Sequence, residues 1–538
     1  MAAILLIAAL GTFSIYRHTL DYGFDYDDYA FTRPFAPQEV RSALAGPWDP
    51  TGIQVPFYRP LTIAFYAARF ERLGLNSHAH HALSLAMFAC GAALCGLFVW
   101  GITRGALAGA LATLFFVVHP AMPYSQAVWA TNQMHLLQSI VVLSAFVWWT
   151  FVRARTFAWW IPLLVAAVTA FLIKEDGVML LPVIVTLHWL RRRVAEPALP
   201  RVPRAFLAAA AGLIVALVAV RFQALEGVGG YRTPTLERAV WNYVSGLNGV
   251  FRLVPPDRPW QLFASWFVTV LPLVALAGWR RAPHNSRFLL VAGAAVSLLF
   301  NLPFVMVTKG EQLHLVALGA ALVLAGSVLG LASVFRTLAV AASLGVAVTI
   351  GSGAMAAVAH HISADFEPYG PVVLAHDRIV EGWAAVPHEI REYLAQKRTA
   401  EPHPPANPTD ALDVVIFGVH GPEIDPAGLR VRWMSGRRSE ILVTSDAREA
   451  VVPLRHEAGV FREAALVEIV ANGQRVDALE LRDGVWRMSR IPLRAADAPL
   501  FWRMHRIVLT LQRAWVPAHI IHGSKDTRTL GLQIGDVG

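Results

Sequence analysis

Charge is what this chain has least of. Only 15% of its 538 residues are Asp, Glu, Lys or Arg, against about 25% in an ordinary soluble domain. So little charge cannot cover a globular surface with solvated side chains, which argues against a free-standing soluble enzyme. Cysteine is nearly absent too. The only two, Cys90 and Cys95, fall within one apolar run. That placement offers neither a disulfide framework nor a thiolate metal cage, so packing is the expected role for both, and the redox compartment is left open. Nothing resembles a phosphate-cradling glycine loop or a Gly-x-Ser-x-Gly elbow, and no internal repeat or low-complexity tract stands out.

Apolar residues fill the space instead: 56% of the chain is hydrophobic, and the mean hydropathy is +0.48. A membrane span needs about 20 mostly apolar residues. Runs such as "HALSLAMFACGAALCGLFVWGI" (81–102), "AFLAAAAGLIVALVAVRF" (205–222) and "LAVAASLGVAVTIGSGAMAAVA" (338–359) supply them. The formal charge of +9 could suggest nucleic acid, but its placement does not. Arg153 and Arg155, "RRR" at 191–193, Arg280 with Arg281, and Arg336 all sit between apolar runs, which is the positive-inside pattern. The runs predict about eleven spans, near 2–17, 80–102, 105–119, 132–152, 157–173, 177–190, 205–222, 260–279, 287–306, 313–334 and 337–358. Residues 2–16 lack a basic n-region and a clear cleavage site, and read as a short first span rather than a signal peptide, with a clipped N-terminus left open. With basic loops in the cytoplasm, the N-terminus lies inside and everything beyond His360 outside.

That map gathers several polar stretches on the outer face: the loop 18–79, the "HPAMPYSQ" turn, "KEDG", the segment 223–259 and "TKGEQLH". In "PLTIAFYAARFERLG", Leu61, Phe65, Ala68 and Arg72 recur at helical spacing, as on a helix lying along the interface. Residues 361–410 read as an amphipathic juxtamembrane helix followed by the proline-rich linker "EPHPPANPTD". From 411 to 538 the pattern changes to period two, as in "LRVRWM", "EILVTS" and "RIVLTL". Asn472-Gly473 between two such runs is a hairpin signal. The expected fold class is a polytopic α-helical membrane protein (1–360) carrying one C-terminal extracytoplasmic β-sandwich (411–538).

The stretch "FDYDDYAF" concentrates the chemistry. Asp25, Asp27 and Asp28 alternate with Tyr22, Tyr26 and Tyr29 beside the first span. One acid there is ordinary loop solvation. Three acids among aromatics also suit a sugar stacked on a ring, with a carboxylate taking a hydroxyl proton. Taken with "FYRPLT" (57–62), "HP" (119–120) followed by "AVW", "KEDGVMLLP" (174–182) and "GEQLHLVALGAAL" (310–322), the series resembles the GT-C superfamily of integral-membrane glycosyltransferases. It is similar in particular to the protein O-mannosyltransferases and their bacterial polyprenyl-phosphate-sugar-dependent relatives, over about residues 1–335.

The resemblance implies an enzyme that moves a sugar from a polyprenyl-phosphate carrier to an extracytoplasmic acceptor, with inversion at the anomeric carbon. Asp27 and Asp28 match the paired-acid motif, with Asp25 a weaker candidate, and the implied role is general base. Arg59 suits the leaving phosphate, as its planar fork holds phosphate oxygens; a snorkelling interfacial arginine is the alternative. Lys174 and Glu175 fall near the carrier phosphate or form a helix-end salt bridge, and Lys309, Glu311 and His314 divide in the same way. His119 reads as a positioning residue. Two positions depart from the pattern. Gln126 stands where relatives often carry an acid, and the neutral pair Asn132-Gln133 where an arginine follows, which leaves the sugar open.

His78, His80 and His81, together with His360 and His361, lie at outer helix ends without a spaced acid set. Interfacial packing is favoured over a metal there, no cofactor is called for, and a divalent cation stays open. The implied partners are the lipid-linked donor, a protein, lipid or polysaccharide acceptor, and membrane lipids, with no nucleic acid. The cytoplasmic loops are too short for a nucleotide-sugar domain. Trp433, Trp486, Trp502 and Trp515 of the tail suit either a glycan platform or a core. The expected location is a plasma (inner) membrane, with the tail periplasmic in a Gram-negative cell. The rivals are a transporter or flippase of a lipid-linked sugar, and a non-catalytic glycan-binding scaffold.

Overall fold

A computed structural model describes the chain except for residues 22–23, 25–27, 49–56, 120–129, 152–155, 228–233, 252–271, 273–279, 307–313, 333–413, 422, 426–429, 445–447, 457–463, 482–483, 495–503, 521–523, 536 and 538. Among the described residues, five helices are long and apolar enough to cross a membrane: Ala2–Leu20, Ser77–Thr103, Ala130–Phe151, Arg204–Ala224 and His314–Ala332. Shorter apolar helices occupy Ala106–Val118, Phe157–Ile173 and His284–Phe300, and Leu180–Val194 ends in the three arginines. The chain is a multi-pass membrane protein. The spans expected near 260–279 and 337–358, and the segment 361–410, lie outside the described residues.

The chain divides into two compact units. The first comprises Met1–Phe24, Pro37–Phe65 and Ser77–Pro368; the second comprises Asp25–Ala36, Tyr66–Asn76 and Tyr369–Gly538. The boundary runs through the helix Pro60–Leu73, which starts on a proline at its first turn. It stops at Gly74, whose φ of 53° lets its N–H return to the Phe70 carbonyl at 2.8 Å.

In the first unit the core is aromatic and aliphatic, with Phe98 against Phe146 at a ring separation of 5.1 Å. The helices His284–Phe300 and His314–Ala332 run close because they present small residues to each other. A Cβ on Gly293 would meet the Gly319 carbonyl, and one on Gly319 would meet the Gly293 carbonyl. Ser286 donates to the Gly326 carbonyl at 2.7 Å and Ser297 to that of Val316 at 2.8 Å, fastening the pair at both ends.

Among the described residues of the second unit there are ten strands: β1 Val414–Phe417, β2 Glu423–Ile424, β3 Arg430–Trp433, β4 Arg438–Thr444, β5 Glu449–Arg455, β6 Ala465–Ala471, β7 Gln474–Leu481, β8 Arg487–Pro492, β9 Met504–Leu511 and β10 Gln533–Ile534. They form two five-stranded sheets, ordered β1-β4-β9-β6-β7 and β2-β3-β10-β5-β8. Their inward residues, among them Ile441, Val467 and Ile507 from one sheet and Val452, Ile491 and Ile534 from the other, share one core. Alternation of buried and half-exposed residues along β5 and β6 is what the period-two pattern dictates. Asn472 and Gly473 turn β6 into β7 with φ values of 48° and 82°, the positive pair that a two-residue hairpin requires. Trp433 and Trp515 pack edge to face with centroids 5.9 Å apart around Leu530, so both are core residues. Trp486 lies under the Arg455 guanidinium at 4.7 Å, and Trp502 lies outside the described residues.

Candidate active site

Within the first unit, two motifs far apart in sequence meet. Arg59, just before the helix Pro60–Leu73, donates from Nε to Glu175 Oε2 at 2.9 Å and from Nη2 to Oε1 at 2.8 Å. Its side chain is 7% exposed and that of Glu175 19%. The guanidinium lies 4.2 Å from the Phe57 ring centroid, and Nη1 points at Met134 Sδ, 3.8 Å away. A planar fork held along one edge and stacked on a ring has one orientation. Thr62 ties the same segment to the Ile173 carbonyl at 2.6 Å.

The "KEDG" motif explains itself locally. The helix Ile161–Ile173 stops at Lys174, whose backbone is extended (φ −155°, ψ 141°), and a 3₁₀ turn, Glu175–Met179, follows. Gly177 is needed there, because a Cβ would collide with the Ala170 carbonyl group. This sharp return corrects the expected Lys174–Glu175 pair. Glu175 turns to Arg59, and Lys174 Nζ instead pairs with Asp176 Oδ2 at 3.0 Å, with both side chains nearly inaccessible. Asp176 was not singled out by sequence.

Behind that pair lies a buried polar chain that sequence reasoning also missed. Gln138 donates to Asp176 Oδ1 at 2.6 Å and to the Lys174 carbonyl at 3.1 Å, and its Oε1 lies 3.3 Å from His314 Nε2. The His314 ring stacks on His135, centroids 4.9 Å apart and planes 14° from parallel. The only available signal was polar side chains at Gln138 and His135 inside an apolar run. Each cation of the cluster has a carboxylate, so the buried charges balance, as they must in a low-dielectric interior. His119 is buried just after the helix Ala106–Val118 in extended backbone. Gln133, at one of the departing positions, donates to the His80 carbonyl at 2.6 Å and to Ser84 Oγ at 2.9 Å. It serves as a neutral tie between helices. Gln126, Lys309 and Glu311 lie outside the described residues.

The paired-acid motif belongs to the second unit. Asp25 and Asp27 lie outside the described residues. Asp28 opens the short helix Asp28–Phe31 and is buried, which corrects the expectation of an exposed loop acid. Arg69 is the counter-charge that sequence missed. It donates from Nη2 to the Phe31 carbonyl at 2.7 Å and to Thr32 Oγ1 at 2.9 Å, and its guanidinium lies 4.6 Å from the Tyr66 ring centroid. Desolvation pulls the Arg69 pKa down to about 10, against the opposing charges of Tyr66 and Asp28. The buried residues of the helix Pro60–Leu73 are Pro60, Thr62, Ile63, Tyr66, Arg69 and Phe70. The stripe expected along the interface is half-buried at Leu61 and Phe65 and exposed at Ala68 and Arg72, while Arg69 takes a core position because a buried carboxylate lies nearby.

Among the described residues no cluster of His, Cys, Asp or Glu is arranged to hold a metal ion. No family model matches the chain, and no curated protein does either. Solved structures overlap the chain distantly, two glycosyl-transferring enzymes among them. The oligosaccharyltransferase of Archaeoglobus fulgidus shares 13% identity at a TM-score of 0.41, over 65% of this chain and 53% of that one. The arabinosyltransferase EmbB of Mycobacterium smegmatis shares 12% at a TM-score of 0.37, over 100% of this chain and 64% of that one. The chain thus spans about half of the first and just under two thirds of the second. Both proteins are named as glycosyl-transferring enzymes.

Proposed function

We propose that the chain is a membrane glycosyltransferase of the GT-C kind, moving a sugar from a polyprenyl-phosphate carrier to an acceptor hydroxyl outside the cytoplasm. The observation that carries this reading is the Arg59–Glu175 fork. It joins "YRPL" to "KEDG" across 116 residues, two members of the motif series on which the resemblance rests. In the reaction, the acceptor oxygen attacks the anomeric carbon while its proton passes to a carboxylate of the Asp27/Asp28 pair. The bond from C1 to the phosphate oxygen breaks, and the carrier leaves with one more negative charge. Arg59 and Lys174 supply the positive charge that stabilises that leaving phosphate, and Glu175 and Asp176 hold the two cations in place until it arrives. The two sheets of the tail form a β-sandwich that serves as an acceptor-binding or assembly module. The segments Asp25–Ala36 and Tyr66–Asn76 share a compact unit with it, which supports a tail on the same side of the membrane as the acid motif.

One observation favours a second reading. The helix break at Lys174 buries ionisable groups, as transporter helices do near the membrane midplane. The experiment that separates the two supplies purified protein in vesicles with a radiolabelled polyprenyl-phosphate sugar and envelope acceptors. New glycosidic product supports the transferase. Movement of intact donor across the bilayer without product supports the transporter.

A further inference from the structure

Three consecutive residues near the end of the helix Pro60–Leu73 address three different partners within the second unit. Arg69 holds the arm that begins at Asp28, through the Phe31 carbonyl and Thr32. Phe70 meets Phe417 of β1 edge to face, with centroids 6.1 Å apart. Glu71 is gripped by Arg506 of β9 through two bonds, Nη2 to Oε1 at 2.9 Å and Nη1 to Oε2. Arg506 is held on its other side by Glu440 of β4, with Nε–Oε2 and Nη2–Oε1 both at 2.9 Å. Glu440 in turn accepts a 2.8 Å bond from Arg438. The Arg506 side chain is 13% exposed and that of Glu71 50%. A guanidinium bound along both edges by carboxylates is fixed in direction, which a lysine cannot reproduce. Desolvation would lower the Arg506 pKa, but Glu71 and Glu440 outweigh it and raise it, while the Arg506 bonds lower that of Glu71.

We propose that Arg506 is a positioning residue that clamps the sheet β1-β4-β9-β6-β7 onto the Arg69–Glu71 turn and thereby fixes the arm carrying Asp28. The functional half of this proposal rests on the acid motif being catalytic. The tail then contributes to sugar transfer through its grip on the acid arm, whether or not it binds any glycan.

Hydrogen exchange by mass spectrometry on the full chain in detergent reads the clamp without any assay of activity. Glu71→Gln and Arg506→Met are each expected to raise exchange of the amides in 28–33 and 66–76 by about fivefold. The double variant should exceed Arg506→Met by little, because Arg506→Met already removes the Glu71 contact together with the bonds to Glu440. Arg528→Gln, in an exposed ion pair of the same unit, should leave the arm unchanged. In the transfer assay both singles should lose kcat in step with exchange while the donor KM holds, and Arg506→Lys should recover part of the loss. Unchanged arm exchange in the singles, or additive effects in the double, would overturn the clamp. Altered exchange with wild-type kcat would overturn the positioning role. If the wild-type chain transfers no sugar at all, the glycosyltransferase reading fails, and the clamp is judged on the exchange cycle alone.

Discussion

Arg59→Ala deletes a side chain that makes two bonds to Glu175, at 2.9 and 2.8 Å, and stacks on Phe57. Breaking a buried ion pair costs about 3–5 kcal/mol. Glu175 keeps 19% exposure, so water re-solvates it in part and the expected loss falls to about 2–3 kcal/mol. The donor loses, in addition, one charge-assisted contact to its phosphate, worth about 1.5–3 kcal/mol, or about 10–100-fold in kcat/KM. Arg59→Lys keeps the charge and loses the fork, so its kcat/KM should fall about tenfold or less. Glu175→Gln separates the two effects. It weakens the same pair, and so lowers thermal stability, but leaves the guanidinium available to phosphate. The assay is transfer from a polyprenyl-phosphate sugar at varied donor concentration, normalised to folded protein, beside thermal unfolding in detergent. Arg59→Ala should lose both stability and donor use, and Glu175→Gln mainly stability. Equal losses of kcat/KM in the two variants at equal abundance would make Arg59 a structural partner of Glu175 and nothing more.

Glu71 has a depressed pKa from its bonds to Arg506, so its contribution is complete above the ordinary glutamate value of about 4.3 and fades as pH falls through the lowered one. A pH series of arm exchange should show that fading in wild type and its absence in Glu71→Gln. Gly319→Val pushes a side chain into the Gly293 carbonyl and Ser297 and should cost about 1–3 kcal/mol, read as a lower unfolding temperature in detergent. Gly473→Ala meets no neighbour within 4 Å but sits at φ 82°. It should cost about 1 kcal/mol through the backbone alone, visible in tryptophan-monitored unfolding of the second unit.

Local signals in the sequence were strong where the physics is local. Pro60 and Gly74 bracket their helix, and Asn472-Gly473 turns β6 into β7, because those residues set backbone geometry by themselves. What depended on distant partners was not legible. The buried stripe of the helix Pro60–Leu73 could not be chosen from spacing without knowing that Arg69 finds the Asp28 arm. Lys174 was matched to its neighbour Glu175, yet the extended residue and tight turn at Gly177 direct it to Asp176 and leave Glu175 to Arg59. Gln138 and His135 looked like occasional polar residues in a span, since only the folded bundle brings His314 beside them. Glu71 and Arg506 lie 435 residues apart, and no spacing rule connects such a pair.

In the proposed reaction an acid of "FDYDDYAF" takes the acceptor proton. The most direct measurement is sugar transfer by Asp27→Asn, Asp28→Asn and the double variant, each normalised to inserted protein. Asparagine keeps the shape and removes the proton acceptor, and general-base help is worth about 10²–10⁴-fold. One single variant and the double should therefore fall by at least about a hundredfold. Full transfer by all three variants would contradict the account and leave these carboxylates as structural groups of the arm.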